Sequence, residues 1–171
     1  MERTALSNLA EILQSLSIQW ALIGALAANR YRASPRLTQD VDVLLADAGS
    51  PGALESALRN AGWSIHRATS EGDLLRLRHA ELGMADLLIA GTQYQQEALK
   101  RARREPISAS QTVPVLTVED VIIHKLIAGR SQDIADIEAI VAARVPLDDA
   151  YVDRWVEFWE VADAWTKLRR R

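Results

Sequence analysis

The 171-residue chain contains no cysteine, which excludes disulfides, thiolate metal centres and a cysteine nucleophile. Its three histidines, His66, His79 and His124, are scattered without zinc-ligand spacing, so any metal has to sit on oxygen. No run approaches the roughly 18 to 20 apolar residues that cross a bilayer. The opening "MERTALSNLAEILQSL" alternates polar and apolar groups, unlike a signal peptide, so a cytoplasmic location without membrane contact is expected. A positive excess is also missing: the formal net charge is -3, unlike a dedicated nucleic-acid-binding body. Local basic clusters do occur, "KRARR" at 100–104 and Lys167, Arg169, Arg170 and Arg171 at the end, and they make a candidate track for phosphates. The sequence shows no internal repeat and no low-complexity segment.

With 49% hydrophobic residues, the chain is long enough to bury one core. Leu6, Leu9, Ile12, Leu13 and Leu16 recur at helical spacing over 4–17. "WALIGA" reads as a short strand broken by Gly24, "LAANRYR" as a short helix, and "DVDVLLA" as the next strand. A helix over 51–60 and a strand "WSIHRA" follow, then "DLLRLRHA" and "GMADLLIA" as a hairpin turning at Gly83. The helix "QYQQEALKRARRE" precedes a loop, "REPISASQTVP", and a short extended piece, "TVPVL". Helices are expected over 118–129, 132–143 and 149–169. The fold class is therefore α+β: a small mixed sheet flanked by helices, then a helical C-terminal region. The loop at 104–114 suggests a division into 1–104 and 105–171, or a connection within a single domain.

Asp40 and Asp42 stand one residue apart where an aliphatic strand begins. On a strand they share a face while Val41 and Val43 take the other, their α-carbons about 6.5 Å apart. Two like charges buried unpaired would cost several kcal/mol, so they either face water or are held by cations. Asp86, inside "GMADLLIAG", repeats the pattern of a carboxylate running into aliphatics. Three carboxylates on adjacent strands suit a pair of magnesium ions aligning an attacking hydroxyl, a phosphorus and a leaving pyrophosphate, with manganese as an alternative. Gly24, breaking a strand just before a helix, exposes backbone N–H groups suited to a triphosphate.

The stretch "LIGALAANRYRASPRLTQDVDVLL" resembles the Gly-[Gly/Ser] and Asp-x-[Asp/Glu] pattern of polymerase-beta-type nucleotidyltransferases. Its Arg36, Thr38, Asp40, Asp42 variant is similar to the bacterial group that contains the AbiEii abortive-infection toxins, as is "VEDVIIHKLIAGRSQDIADIEAIV". The resemblance covers about residues 19–141. It implies a nucleotidyltransferase sheet and an enzyme that moves a nucleoside monophosphate from an NTP to an acceptor hydroxyl. It further implies metal ligation by Asp40, Asp42 and Asp86, with Asp86 as general base. Nucleotide contacts would come from Gly24, Ala25, Arg36, Thr38, Lys125 and Arg130. The family's glycine is usually followed by Gly or Ser; Ala25 stands there instead, without a hydroxyl but with its backbone N–H.

Thr117 with Glu119 and Asp120 reads as a helix start, and Gly129 as its end. Lys125 either snorkels to water or, by the resemblance, meets phosphate. Asp133 and Asp136 share a helical face and serve in support, orienting Lys125 or Arg130, contacting the nucleotide or capping the helix. Tyr151, Trp155, Trp159 and Ala162 form an apolar stripe that docks on the core or meets a homodimer partner or antitoxin. The acceptor stays open among RNA, tRNA ends above all, small molecules and proteins. A toxin of a toxin-antitoxin pair is the role the resemblance implies; a non-catalytic nucleotide- or partner-binding protein on the same fold, antitoxin or regulator, is the other reading.

Overall fold

A computed structural model describes residues 4–47, 51–108 and 111–170; Arg171 of the C-terminal basic cluster lies outside them. The chain opens with α1 (Ala5–Ser15), whose start is fixed by Thr4 and Ser7 in a reciprocal capping box. It continues through β1 (Trp20–Leu22), α2 (Gly24–Ala28), β2 (Val41–Leu45), α3 (Pro51–Asn60), β3 (Ser64–Arg67), β4 (Leu74–His79) and β5 (Gly83–Ile89). Then come α4 (Gln93–Arg101), β6 (Arg103–Ser108), β7 (Gln111–Val115), α5 (Val118–Ala128), α6 (Ser131–Ala142), α7 (Asp149–Phe158) and α8 (Ala162–Arg169). The seven strands form one mixed sheet in the order β3-β4-β5-β2-β1-β7-β6. β2 runs parallel to β5 and antiparallel to β1, and β7 runs parallel to β1.

The expected α+β architecture with a mixed sheet and a helical C-terminal region is present, with local differences. The segment read as a loop is the β6–β7 hairpin. β6 is an edge strand, where Pro106 needs no outward ladder donor. The helix expected to run to 105 accordingly stops at Arg101, and the division placed at 104/105 falls inside β6. Buried side chains from both sides of that point make one hydrophobic cluster, from Leu9 and Leu44 to Ile122 and Trp155. The helix expected over 149–169 is two helices, parted where Glu160 takes a φ of 56°. β1 ends at Leu22, and α2 starts at Gly24 and is only five residues long.

Helix α5 is the pivot on which the helical region docks. Thr117 caps it, Gly129 ends it in the left-handed conformation, and eight of its eleven residues are buried. Asp120, fully buried, accepts hydrogen bonds from the Tyr151 hydroxyl at 2.8 Å and the Thr117 hydroxyl at 2.8 Å, and Arg101 approaches at 3.3 Å. The Arg101 guanidinium also lies 3.7 Å from the centre of the Tyr151 ring. One carboxylate thereby ties α4, α5 and α7 together. Tyr151 and Trp155 are buried in the chain's own core, and Trp159 and Ala162 pack partly buried against it, so the aromatic stripe is spent on packing. Among the described residues no helix is long and apolar enough to cross a membrane.

Candidate active site

The ladder between β2 and β5 sets Asp42 directly beside Asp86. Parallel neighbours in register lie about 4.8 Å apart at their α-carbons and project to the same face. Val41 and Val43, pointing the other way, are buried and anchor the strand. Burial pushes the Asp42 carboxyl above its ordinary value, and the charges of Asp86 and Asp40 push it further. Asp40 itself lies just ahead of the strand and is exposed, so the expectation that both aspartates belong to one ladder fails at its first residue. Its charge nevertheless stays within reach of Asp42.

Asp86 has a partner that periodicity could not disclose. In the β4–β5 ladder Arg76 stands opposite it, and the guanidinium holds both carboxylate oxygens, Nε to Oδ1 at 3.0 Å and a terminal nitrogen to Oδ2 at 2.9 Å. The alternation of Leu75 and Leu77 with Arg76 and Arg78 put the arginines on a polar face, but only the register shows which carboxylate they meet. Among the described residues no three Asp, Glu or His side chains come together as a ready ligand set. Asp42 and Asp86 nevertheless fit a hard divalent cation: they are adjacent oxygen donors whose mutual repulsion such a cation relieves. Arg76 is about half exposed, and a solvent-facing pair of that kind is weak enough to be exchanged.

Gly24 borders the same carboxylate. Its φ is 65°, and a Cβ there would fall on the Asp42 side chain. The glycine is thus required by the approach of β2 to the start of α2, independently of any ligand. Gly24→Ala is expected to destabilise the fold by about 1–3 kcal/mol and to displace Asp42, which thermal unfolding together with activity would register.

An ionic cluster borders the same cleft. Lys125, only 4% exposed, donates to Asp133 at 3.0 Å and to Asp136 at 2.7 Å. Asp136, fully buried, also accepts from Arg36 at 2.9 Å and from Arg32 at 2.6 Å, and Asp133 accepts from Arg130 at 2.7 Å. Burial pushes both carboxyls up, but the bonds from Arg130 and Lys125 to Asp133, and from Arg36 and Lys125 to Asp136, outweigh it and leave both below the usual carboxylate value. Four cations stand against two carboxylates, so the cluster is net positive beside the net negative strand pair. Asp133 and Asp136 therefore orient the cations, the supporting arrangement considered from the helical spacing, and Arg32 joins them unforeseen.

A cavity of about 480 Å³ opens between these groups. Gly24, Asp42, Asp86, Lys125, Arg130 and Asp133 line it together with Leu74, Leu88, Tyr94, His124 and Trp159. The fold thus brings six of the expected residues to one cleft. Ala25 is buried behind it in α2, Arg36 is committed to Asp136, and Thr38 lines a separate cavity beside Thr4 and Gln39. The aromatic wall was missed because its members come from α4, α5 and the bend after α7, and nothing local links them.

No protein-family model matches the chain, and no curated protein matches it. Solved structures do. The antibiotic adenylyltransferase structure of ANT(2'')-Ia in complex with adenylyl-2''-tobramycin superposes with a TM-score of 0.63, at 14% identity, over 91% of this chain and 94% of that one. The lincomycin-bound lincosamide antibiotic adenylyltransferase LnuA gives 0.58 at 14% identity, covering 81% and 98%. MenT4, a nucleotidyltransferase toxin from Mycobacterium tuberculosis H37Rv, gives 0.53 at 19% identity, covering 89% of this chain and 63% of that one. At these identities the likeness is one of fold: the chain has the nucleotidyltransferase fold.

Proposed function

We propose that the protein is a nucleotidyltransferase, moving a nucleoside monophosphate from an NTP to an acceptor hydroxyl and releasing pyrophosphate. The observation that carries this reading is the placement of Asp42 beside Asp86 at a cleft that the net positive Lys125–Arg130 cluster also lines. Carboxylates and cations lining one cavity suit a substrate that is both polyanionic and metal-associated. Asp42 and Asp86 would hold magnesium, with the charge of Asp40 nearby; when bound, the ion would neutralise the triphosphate and polarise its α-phosphorus.

The chain's own groups account for the rest. Asp86 accepts the proton of the acceptor hydroxyl once Arg76 releases it. The acceptor oxygen bonds to the α-phosphorus as the bond to the pyrophosphate oxygen breaks, and pyrophosphate leaves with that electron pair. Lys125 and Arg130 offset its charge, and the backbone beside Gly24 and Ala25 contacts the phosphates. No covalent nucleophile is needed.

We assign the enzyme a cytoplasmic role within the AbiEii-like group, as the toxin of a toxin-antitoxin pair with RNA, especially tRNA ends, as acceptor. Small molecules and proteins are the alternative acceptors. A non-catalytic nucleotide-binding protein is the second reading, favoured by Arg76 occupying both oxygens of Asp86. Incubation with each of four α-labelled NTPs and separate RNA, protein and small-molecule fractions decides between them. Label entering one fraction supports transfer and names the acceptor class; metal-dependent NTP binding with no labelled fraction favours the second reading.

A further inference from the structure

The register of the sheet lines up three charged side chains in one row on one face: Asp42 on β2, Asp86 on β5 and Arg76 on β4. Neighbours in such a row stand about 4.8 Å apart, so Asp86 lies between a like charge on one side and a guanidinium on the other. Its carboxylate makes no other hydrogen bond or ion pair among the described residues. The fork of Arg76 takes both of its oxygens, the most specific arrangement that an arginine offers a carboxylate.

The cations around the cleft are of two kinds. Lys125 is buried and bound to Asp133 and Asp136, so moving it would strand buried carboxylates. Arg76 is half exposed, and its bonded partner is Asp86 alone. The bond to Asp86, with the charges of Asp86, Asp40 and Asp42, raises the guanidinium above its ordinary value, so the whole acidic group acts on it. A divalent cation on the same carboxylate would repel that guanidinium, and releasing Arg76 to water costs little. Asp86 thus has two alternative counter-ions: the arginine on β4, or a cation shared with Asp42 across the β2–β5 ladder.

We infer that Arg76 is a displaceable counter-ion that competes with the divalent cation for Asp86 and so sets how tightly the site takes metal. The inference rests on the nucleotidyl-transfer reading and adds a residue that regulates its metal site. Arg76 acts as a positioning residue: while paired it withholds the Asp86 oxygens from the metal and from the acceptor proton. Arg78 provides the comparison. It follows two residues along the same face of β4 and is exposed, but its ladder neighbours are Met84 and Ser64 in place of a carboxylate.

Calorimetric titration of the full chain with manganese, without nucleotide, tests it. Arg76→Gln should bind manganese about fivefold more tightly than wild type, the scale set by loss of one competing solvent-facing pair. Arg78→Gln should stay within about twofold of wild type, because a charge without that contact is screened. Asp86→Asn should bind on the order of tenfold more weakly, and circular dichroism would confirm that all three variants are folded. In nitrogen-15 spectra the Arg76 Nε–H signal, identified by its absence from Arg76→Gln, should shift as magnesium saturates the wild type. Equal manganese affinity in wild type and Arg76→Gln, the same gain in Arg78→Gln, or an unmoved Arg76 signal overturns the inference while leaving nucleotidyl transfer standing. Manganese binding that Asp86→Asn leaves unchanged, or no binding by any form even with the α,β-methylene analogue of ATP present, overturns both this inference and metal-dependent transfer.

Discussion

Asp42→Asn is expected to lower transfer by about 10²- to 10³-fold, the order seen when one electrostatic contact to a reacting phosphate or oxyanion is removed, while making the protein more resistant to heat at neutral pH. The first effect follows from the loss of one of the two adjacent carboxylates; the second follows from how that carboxylate is held. Asp42 is raised above its ordinary value by burial and by Asp86 and Asp40. A group raised in the folded state binds its proton more tightly there than in the unfolded chain, so stability is lost as pH rises through the folded value. Asparagine has the same shape and escapes that loss. Tm should therefore rise by a few degrees at pH 7, and the gap from wild type should close as pH is lowered through the raised Asp42 value. A fall in Tm at pH 7 would mean that Asp42 is a structural ion-pair partner.

Asp136→Ala should have the opposite character, a large loss of stability. Asp136 is fully buried and accepts from Lys125, Arg32 and Arg36. Removing it leaves Lys125, itself almost fully buried, with Asp133 alone and deprives two arginines of their shared partner. Breaking a buried ion network in this way costs about 3–5 kcal/mol, a drop in Tm on the order of 10 °C for a chain of this size. Because the folded-state value of Asp136 is depressed, its contribution is present above the ordinary aspartate value of 3.8 and is lost as pH falls through the lower folded value. Wild type and variant should therefore differ most near neutrality and converge in acid. Urea unfolding at pH 7 and again below pH 3.8 checks both statements. A change under 1 kcal/mol at pH 7 would show that the arginines and Lys125 are stabilised by solvent rather than by this carboxylate.

How much of this was legible in the sequence depended on whether a feature was local. Asp42, Asp86 and Gly24 were found because a charge or glycine interrupting an aliphatic run is visible within ten residues, and strand alternation says which face it takes. The joining of those strands was a guess that the β2–β5 register made concrete. The helical pair Asp133 and Asp136 was legible from its spacing, and its partnership with Lys125 was one of the alternatives. Arg32, Arg36 and Arg76 were not assigned to their carboxylates, because an arginine's reach and a strand's register are properties of the folded chain. The β6–β7 hairpin was hidden by Pro106, which an edge strand tolerates, and the break between α7 and α8 by an aromatic stripe that continues across it. His124 carried no local signal at all: its place beside Tyr94 on the cavity wall is set by packing between helices.

The central claim is nucleotidyl transfer, and following the phosphates of one NTP tests it most directly. Parallel reactions with an α-labelled and a γ-labelled NTP, magnesium and the combined acceptor fractions should attach the α label to an acceptor and release the γ label in pyrophosphate, with Asp42→Asn slowing both alike. Attachment of the γ label to the acceptor, or bound nucleotide whose labels both remain in intact NTP, would contradict the account.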